Sequence, residues 1–177
     1  KGITKALKIP CKKVFTSLRG YGNTEETRSV NDYNIDHQLE IIRTISRKLN
    51  SDFHIVGHSM GGLVGFAAVF SGEFPIKSII TFEGNPPWVL DTTKYKETLN
   101  KTLKMAKYFE KAVIEDKNDS AKIIIDFYGG DGTFSSFPGK VQDFCRANAH
   151  VNLLDWLPII RSDQPKFERS LFKTALN

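Results

Sequence analysis

The sequence predicts an α/β fold: a partial parallel-sheet core followed by a mostly helical half. Strand and helix signals alternate over residues 13–81 with short connections, which is typical of parallel strands joined by right-handed crossovers. A glycine-rich turn at 57–62 joins a short apolar strand to an apolar helix. After Asn85-Pro86-Pro87 the alternation is lost, and the rest of the chain favours helices.

The first predicted elements are a strand and an amphipathic helix. Residues 13–18 are β-branched and aromatic enough to predict a strand, which the turn residues 19–23 end. Asn34 can cap a helix that closes at 50–52. The apolar stripe of this helix, with spacings of four, three, three and four residues, is Ile35, Leu39, Ile42, Ile45 and Leu49.

A strand–helix–strand unit follows. Residues 53–56 predict a buried strand, residues 63–70 a helix that is apolar nearly all round, and residues 76–81 a second strand. Their short connections predict that both strands lie parallel in one sheet.

The second half predicts a helical insertion, or lid, over the sheet. A long helix is expected from near 91–93, and further helices from Pro138-Gly139 to 148 and over 151–160. Residues 122–128 fit a strand or a helix, because periodicity does not separate the two over so short an apolar run. The apolar stripe of the long helix is Tyr95, Leu99, Leu103, Ala106, Phe109 and Val113.

Composition argues against several classes of protein. Of the 177 residues, 40% are hydrophobic and 25% charged, the usual mix of a folded domain. The net charge of +5 comes from scattered lysines rather than from an aromatic and basic stripe. We therefore expect no nucleic-acid partner and interpret the charge as a solvated surface. No apolar run approaches the ~20 residues that a membrane span needs.

The cysteines predict neither a metal site nor a disulfide framework. Cys11 and Cys145 lie far apart, and neither belongs to a CxxC or Cys/His cluster. We expect no cofactor, and free thiols in a reducing, cytoplasmic compartment. The sequence starts with lysine and shows no signal peptide there. It does not predict an oligomeric state.

The motif that carries chemistry is Gly57-His58-Ser59-Met60-Gly61-Gly62, between a predicted strand and a predicted helix. A serine on so sharp a turn is held at the carboxyl edge of the sheet, and close backbone contacts require flanking glycines. The helix N-terminus directs free N–H groups and its positive dipole end at the serine. We predict Ser59 as a nucleophile and the Met60 N–H as an oxyanion donor.

The order of these motifs resembles the α/β-hydrolase superfamily. The resemblance rests on Ser17-Leu18-Arg19-Gly20-Tyr21-Gly22, on the helix after it, and on His54 through Gly62. It covers roughly residues 10–85. It implies that the fourth, fifth and sixth strands of that fold are 13–18, 53–56 and 76–81.

The resemblance also implies three parts of the chain. These are a partial hydrolase core with its nucleophile elbow at 1–87, a helical cap at 88–160, and a segment returning toward the core at 161–177. The family supplies a second oxyanion N–H after its third strand and a histidine base after its eighth. Neither is recognisable here, so we expect the chain to be incomplete at both ends.

Two acids compete for the catalytic triad that the resemblance implies. Glu83 follows the sixth strand, where some members of the superfamily carry their acid. Asp131 resembles the acid after the seventh strand, but no strand and histidine follow it. We predict Glu83 as the better candidate for the acid and Asp131 as a loop residue of the cap. Two alternatives stay open: Glu83 as a carboxylate that only holds its loop, and an acid in sequence outside this chain.

None of the four histidines is a strong candidate for the base. His58 adjoins the nucleophile, but neighbouring side chains on a tight turn diverge, so we interpret it as structural. We expect His54 to be packed on its strand and His37 to be solvated. His150, which precedes a possible strand instead of following one, is a weak candidate.

A serine nucleophile implies an acyl-enzyme route, in which serine attacks a carbonyl and water releases the product. We therefore expect an esterase or C–C-bond hydrolase with a small-molecule substrate. A non-catalytic relative whose cap is a binding surface, and an acyltransferase, stay open as alternatives. Cap residues that could line an acyl pocket, although cap core is their commoner fate, are Trp88, Tyr95, Leu99, Phe134 and Phe137.

Overall fold

The computed structural model describes residues 8–84, 90 and 93–161. Within them the chain forms two strands and seven helices: α1 Asp36–Leu49, β1 Phe53–His58, α2 Met60–Ser71, β2 Ile76–Phe82, α3 Lys96–Ile114, α4 Ser120–Gly129, α5 Thr133–Ser136, α6 Gly139–Ala147 and α7 Ala149–Ile160. None of these helices is long and apolar enough to cross a membrane.

The predicted strand–helix–strand unit is confirmed, but the prediction that residues 53–56 form a buried strand is wrong, because His54 and Val56 are exposed. β1 and β2 pair in parallel, with Ile55 opposite Ile79 and Val56 opposite Ile80. Because successive side chains alternate between the faces of a sheet, Ile55 and Ile79 pack against the core beside α2. Val56 and Ile80 on the other face are 46% and 55% exposed. In the described part of the chain, the helices therefore cover one face of the sheet.

The predicted strand at 13–18 is wrong. Residues 10–18 have no regular secondary structure, and Val14 and Phe15 are largely exposed. A β-branched and aromatic sequence becomes a strand only where a neighbour pairs with its backbone groups. Among the described residues the sheet consists of β1 and β2 alone, so this segment has no strand beside it.

The helix α1 lies where its apolar stripe predicts. The N-cap position is Ile35, one residue later than predicted, and the side-chain oxygen of Asn34 accepts the Asp36 N–H at 3.0 Å just before it. The apolar side of α1 packs against α2 and the sheet. The buried core there is formed by Leu39, Val64, Ala68, Val69 and Ile76.

The helical half encloses a second core. Ala106 and Phe109, both on the predicted stripe of α3, are fully buried. Residues 122–128, which fitted either type of element, lie in the helix α4, which packs along α3 rather than against a strand. The buried residues of this core are Phe109, Ala121, Phe134, Ala149, Leu153, Leu154 and Leu157.

Candidate active site

Ser59 lies between the last residue of β1 and the first residue of α2. Its backbone has φ 50° and ψ −124°, a strained combination for a residue with a side chain. The Ser59 N–H donates to the carbonyl of Phe82 at 3.0 Å, and the Ser59 carbonyl accepts the Gly62 N–H at 2.8 Å. The side chain is exposed. The backbone is thus fixed on both sides while the hydroxyl remains accessible.

Close backbone contacts explain two glycines of the turn. A Cβ on Gly57 would lie 2.5 Å from the carbonyl oxygen of Gly61. A Cβ on Gly62 would lie 2.7 Å from the Cα of Gly84, just after β2. Real Cβ atoms do not approach other atoms so closely, so both positions require glycine. The contact between Gly62 and Gly84 holds the start of α2 against the ends of the two strands.

The expectation that close backbone contacts require both glycines flanking Ser59 is wrong for Gly61. A Cβ at this position would meet no heavy atom within 4 Å. Position 61 lies in the first turn of α2, on a side that faces open space, so the close approach is made by Gly62 instead.

The N–H of Met60 lies at the start of α2. The first N–H groups of a helix have no acceptor within the helix. Here the carbonyl of Ser59 accepts hydrogen bonds from the N–H groups of Gly62 and Leu63. The N–H groups of Met60 and Gly61 do not donate to it. The first turn of α2 has no acidic side chain. The positive end of the helix dipole is therefore directed at the region around Ser59 without a carboxylate of α2 to offset it.

Glu83 follows β2 directly and lies beside the turn. Its φ of 52° is in the left-handed region, which is uncommon for glutamate. Its Oε2 lies 3.6 Å from the Nε2 of His58, and the two side chains are 87% and 69% exposed. The parallel register places His58 opposite Phe82, which explains why residues 58 and 83 meet. Sequence reasoning missed this pair, since the register could not be read from the residues.

The other histidines lie apart from the turn. His150 is an exposed residue in the first turn of α7, so the possible strand after it is wrong. Its side chain makes no hydrogen bond or ion pair with another described residue. His54 is exposed rather than packed, and its Nδ1 lies 2.7 Å from the Ser78 hydroxyl oxygen. His37 is partly exposed between Thr27 and Asp32.

The apolar residues considered for an acyl pocket differ from one another in exposure. Phe134 is 2% exposed in the helical core, so it packs rather than lining an open site. Tyr95 is 43% exposed, and Trp88 lies outside the described residues. Asp131 is an exposed loop residue, as predicted. Its neighbour Asp126 fixes that loop instead, because the Asp126 carboxylate accepts the Phe134 N–H at 2.8 Å.

Comparison with known families identifies one match. Residues 14–150 match the family described as alpha/beta hydrolase fold. That span contains both strands, the turn at Ser59, and the helices as far as the start of α7. No curated protein and no solved structure gives a significant match.

The turn geometry predicts opposite outcomes for two alanine substitutions. Gly57→Ala should lower the free energy of unfolding by about 1–3 kcal/mol, the usual cost of overpacking, because its Cβ would overlap the Gly61 carbonyl. Gly61→Ala should be neutral or stabilising by up to ~1 kcal/mol, since alanine is the better helix former and space is open. Urea unfolding of both variants measures the difference, and equal effects would contradict this account of the turn.

Proposed function

The chain belongs to the α/β-hydrolase fold family, and on that premise we propose that it is a serine hydrolase with Ser59 as its nucleophile. One observation carries the proposal: an exposed serine with a strained, doubly hydrogen-bonded backbone stands where β1 meets α2. Strain of this kind persists only where the surroundings impose it, and it is found mostly at functional sites. The proposed substrate is a carboxylic ester or related carbonyl compound.

The proposed reaction proceeds through an acyl-enzyme. The Ser59 hydroxyl attacks the carbonyl carbon and passes its proton to a base, and the carbonyl oxygen becomes an oxyanion. The N–H of Met60, at the positive end of α2, donates to that oxyanion. Collapse of this intermediate expels the alcohol, which takes up the proton. Water then attacks the acyl group, and acid and free Ser59 are released.

We further propose that Glu83 is the acid of the site. Its position after β2 and its left-handed backbone favour this role, because the carboxylate then stands at the same sheet edge as Ser59. Among the chain's four histidines, all of them described, His58 is the one within ion-pair distance of Glu83. This contact supports the proposal that Glu83 orients His58 rather than His150, which lies on α7.

A second candidate function is a binding module that keeps the fold without catalysis. The observation that favours it is the lack of a hydrogen bond between Ser59 and any described histidine. A serine nucleophile needs a base within reach of its proton, commonly about 2.6–3.2 Å, although free enzymes are often looser. In a binding module, the exposed turn would contact a ligand without reacting with it.

Substitution of the serine separates the two functions. The full-length protein should react with a fluorophosphonate probe and hydrolyse p-nitrophenyl esters. Ser59→Ala should abolish labelling and lower kcat by roughly 10⁴-fold or more. The matched control is Ser71→Ala at the other end of α2, which should keep both. Full-length protein that is inert to the probe would favour the binding module, and labelling that survives in Ser59→Ala would show that another residue is the nucleophile.

Substitution of the carboxylate tests the acid. Glu83→Gln should lower kcat by about 10²–10⁴-fold with little change in KM, because the amide cannot stabilise a protonated histidine in the transition state. Glu97→Gln on α3, also strongly exposed, is the control and should leave kcat unchanged. Steady-state ester hydrolysis measures both, and full activity of Glu83→Gln would remove this residue from the triad.

A further inference from the structure

A buried ion pair joins α7 to the loop between the amino-terminal segment and α1, residues 19–33. The Nη1 of Arg28 donates to the Asp155 carboxylate at 2.6 Å, and the two side chains are 1% and 5% exposed. The hydroxyl of Tyr21 donates to the other carboxylate oxygen at 2.9 Å, and the amide of Asn152 donates to that hydroxyl at 3.3 Å. The clamp is the cluster formed by Arg28, Asp155, Tyr21, Asn152 and Glu26.

Each nitrogen of the Arg28 guanidinium donates at least one hydrogen bond. Its Nε and Nη2 donate to the two oxygens of Glu26 at 2.9 and 2.8 Å, and Nη2 also donates to the carbonyl of Arg19 at 3.2 Å. Two carboxylates therefore share one guanidinium. Burial raises the pKa of Asp155, against the opposing effect of Arg28. Such a group of charges is costly to bury unless every partner stays in place.

The backbone at Gly20 passes so close to the clamp that no side chain fits there. Gly20 has a φ of 79°, and a Cβ there would lie 2.5 Å from both Glu26 Oε2 and a methyl of Val151 on α7. At the far end of α7, Arg161 donates to the carbonyl of Val30 at 3.1 Å. The loop thus contacts α7 at both ends of the helix.

The same loop is tied to the sheet-bearing half. The N–H of Arg19 donates to the side-chain oxygen of Gln38 at 3.0 Å, and Gln38 is fully buried on α1. Its neighbour Leu39 belongs to the core that α1 shares with α2. The loop 19–33 therefore connects α7 to the half of the chain that carries Ser59.

We propose that the clamp is a reversible polar contact at which the loop 19–33 separates locally from α7, while α7 stays packed in the helical core through Leu153, Leu154 and Leu157 and the β1–α2–β2 core stays folded. A buried ion pair is a poor device for maximal stability, since apolar residues of similar volume often hold such a contact as well or better. Its advantage is reversibility, because the charges that opening would expose are well solvated by water. The proposal does not depend on the chemistry proposed for Ser59.

Native-state hydrogen exchange of the whole chain tests this contact through single substitutions. Arg28→Met and Asp155→Asn should each speed amide exchange in the loop 19–33 by about 100-fold or more, the scale expected when a buried charge loses its partner. Amides of β1, α2 and α7 should exchange as before, because their cores are not disturbed. The control is Arg43→Met, which removes an arginine that binds three exposed carboxylates, and it should leave exchange of the loop unchanged.

A combined substitution keeps the proposal testable where a single variant fails to fold. Arg28→Met with Asp155→Leu and Glu26→Gln removes all three charges of the clamp, so the loop 19–33 should regain protection relative to the single variants. Low protection of the loop in the combined variant would overturn the proposal. Exchange that is unchanged in the single variants, or that rises equally in the loop, β1, α2 and α7, would overturn it as well, because the loop would then not open as a separate unit.

Discussion

The close approach of α2 to the ends of β1 and β2 is the constraint on which the rest of the site depends. Gly57 and the Gly62–Gly84 contact leave no space for a Cβ atom where the start of α2 meets the ends of the strands. At this junction Ser59 takes a strained backbone with a φ of 50°. The hydrogen bond from the Ser59 N–H to the carbonyl of Phe82 links the turn to the neighbouring strand. The backbone of the turn is therefore held on both sides while the Ser59 side chain stays exposed.

The same junction determines which groups surround the serine. The parallel register carries Glu83 to the edge where β1 ends, and the carboxylate meets His58 there. The start of α2 supplies N–H groups with no competing acid in the first turn. The helical half has its own core around Phe109 and Phe134, and it meets the loop 19–33 through the Arg28–Asp155 ion pair and through Tyr33, which packs on that core. The site is thus built by short-range backbone geometry, and the helical half is attached through side chains.

Sequence patterns that span a few residues predicted much of this fold. They did not predict the contacts between residues far apart in the chain. The strand–turn–helix at Ser59 was predictable because glycine spacing and apolar periodicity act over a few residues. The strand at 13–18 was wrong because a strand depends on a neighbour that its own residues cannot reveal. The pairing of His58 with Glu83 required the register, and the pairing of Arg28 with Asp155 joins residues 127 positions apart. Glycine at 61 matched the motif, but its position has open space.

In the proposed reaction, the junction directs the Ser59 hydroxyl and the Met60 N–H at the same carbonyl group. A crystal structure of the full-length protein after reaction with a fluorophosphonate tests this arrangement. We expect phosphorus bonded to the Ser59 Oγ, with a phosphonyl oxygen about 2.7–3.1 Å from the Met60 nitrogen. An adduct on another residue, or a phosphonyl oxygen directed away from the start of α2, would show that the arrangement is wrong.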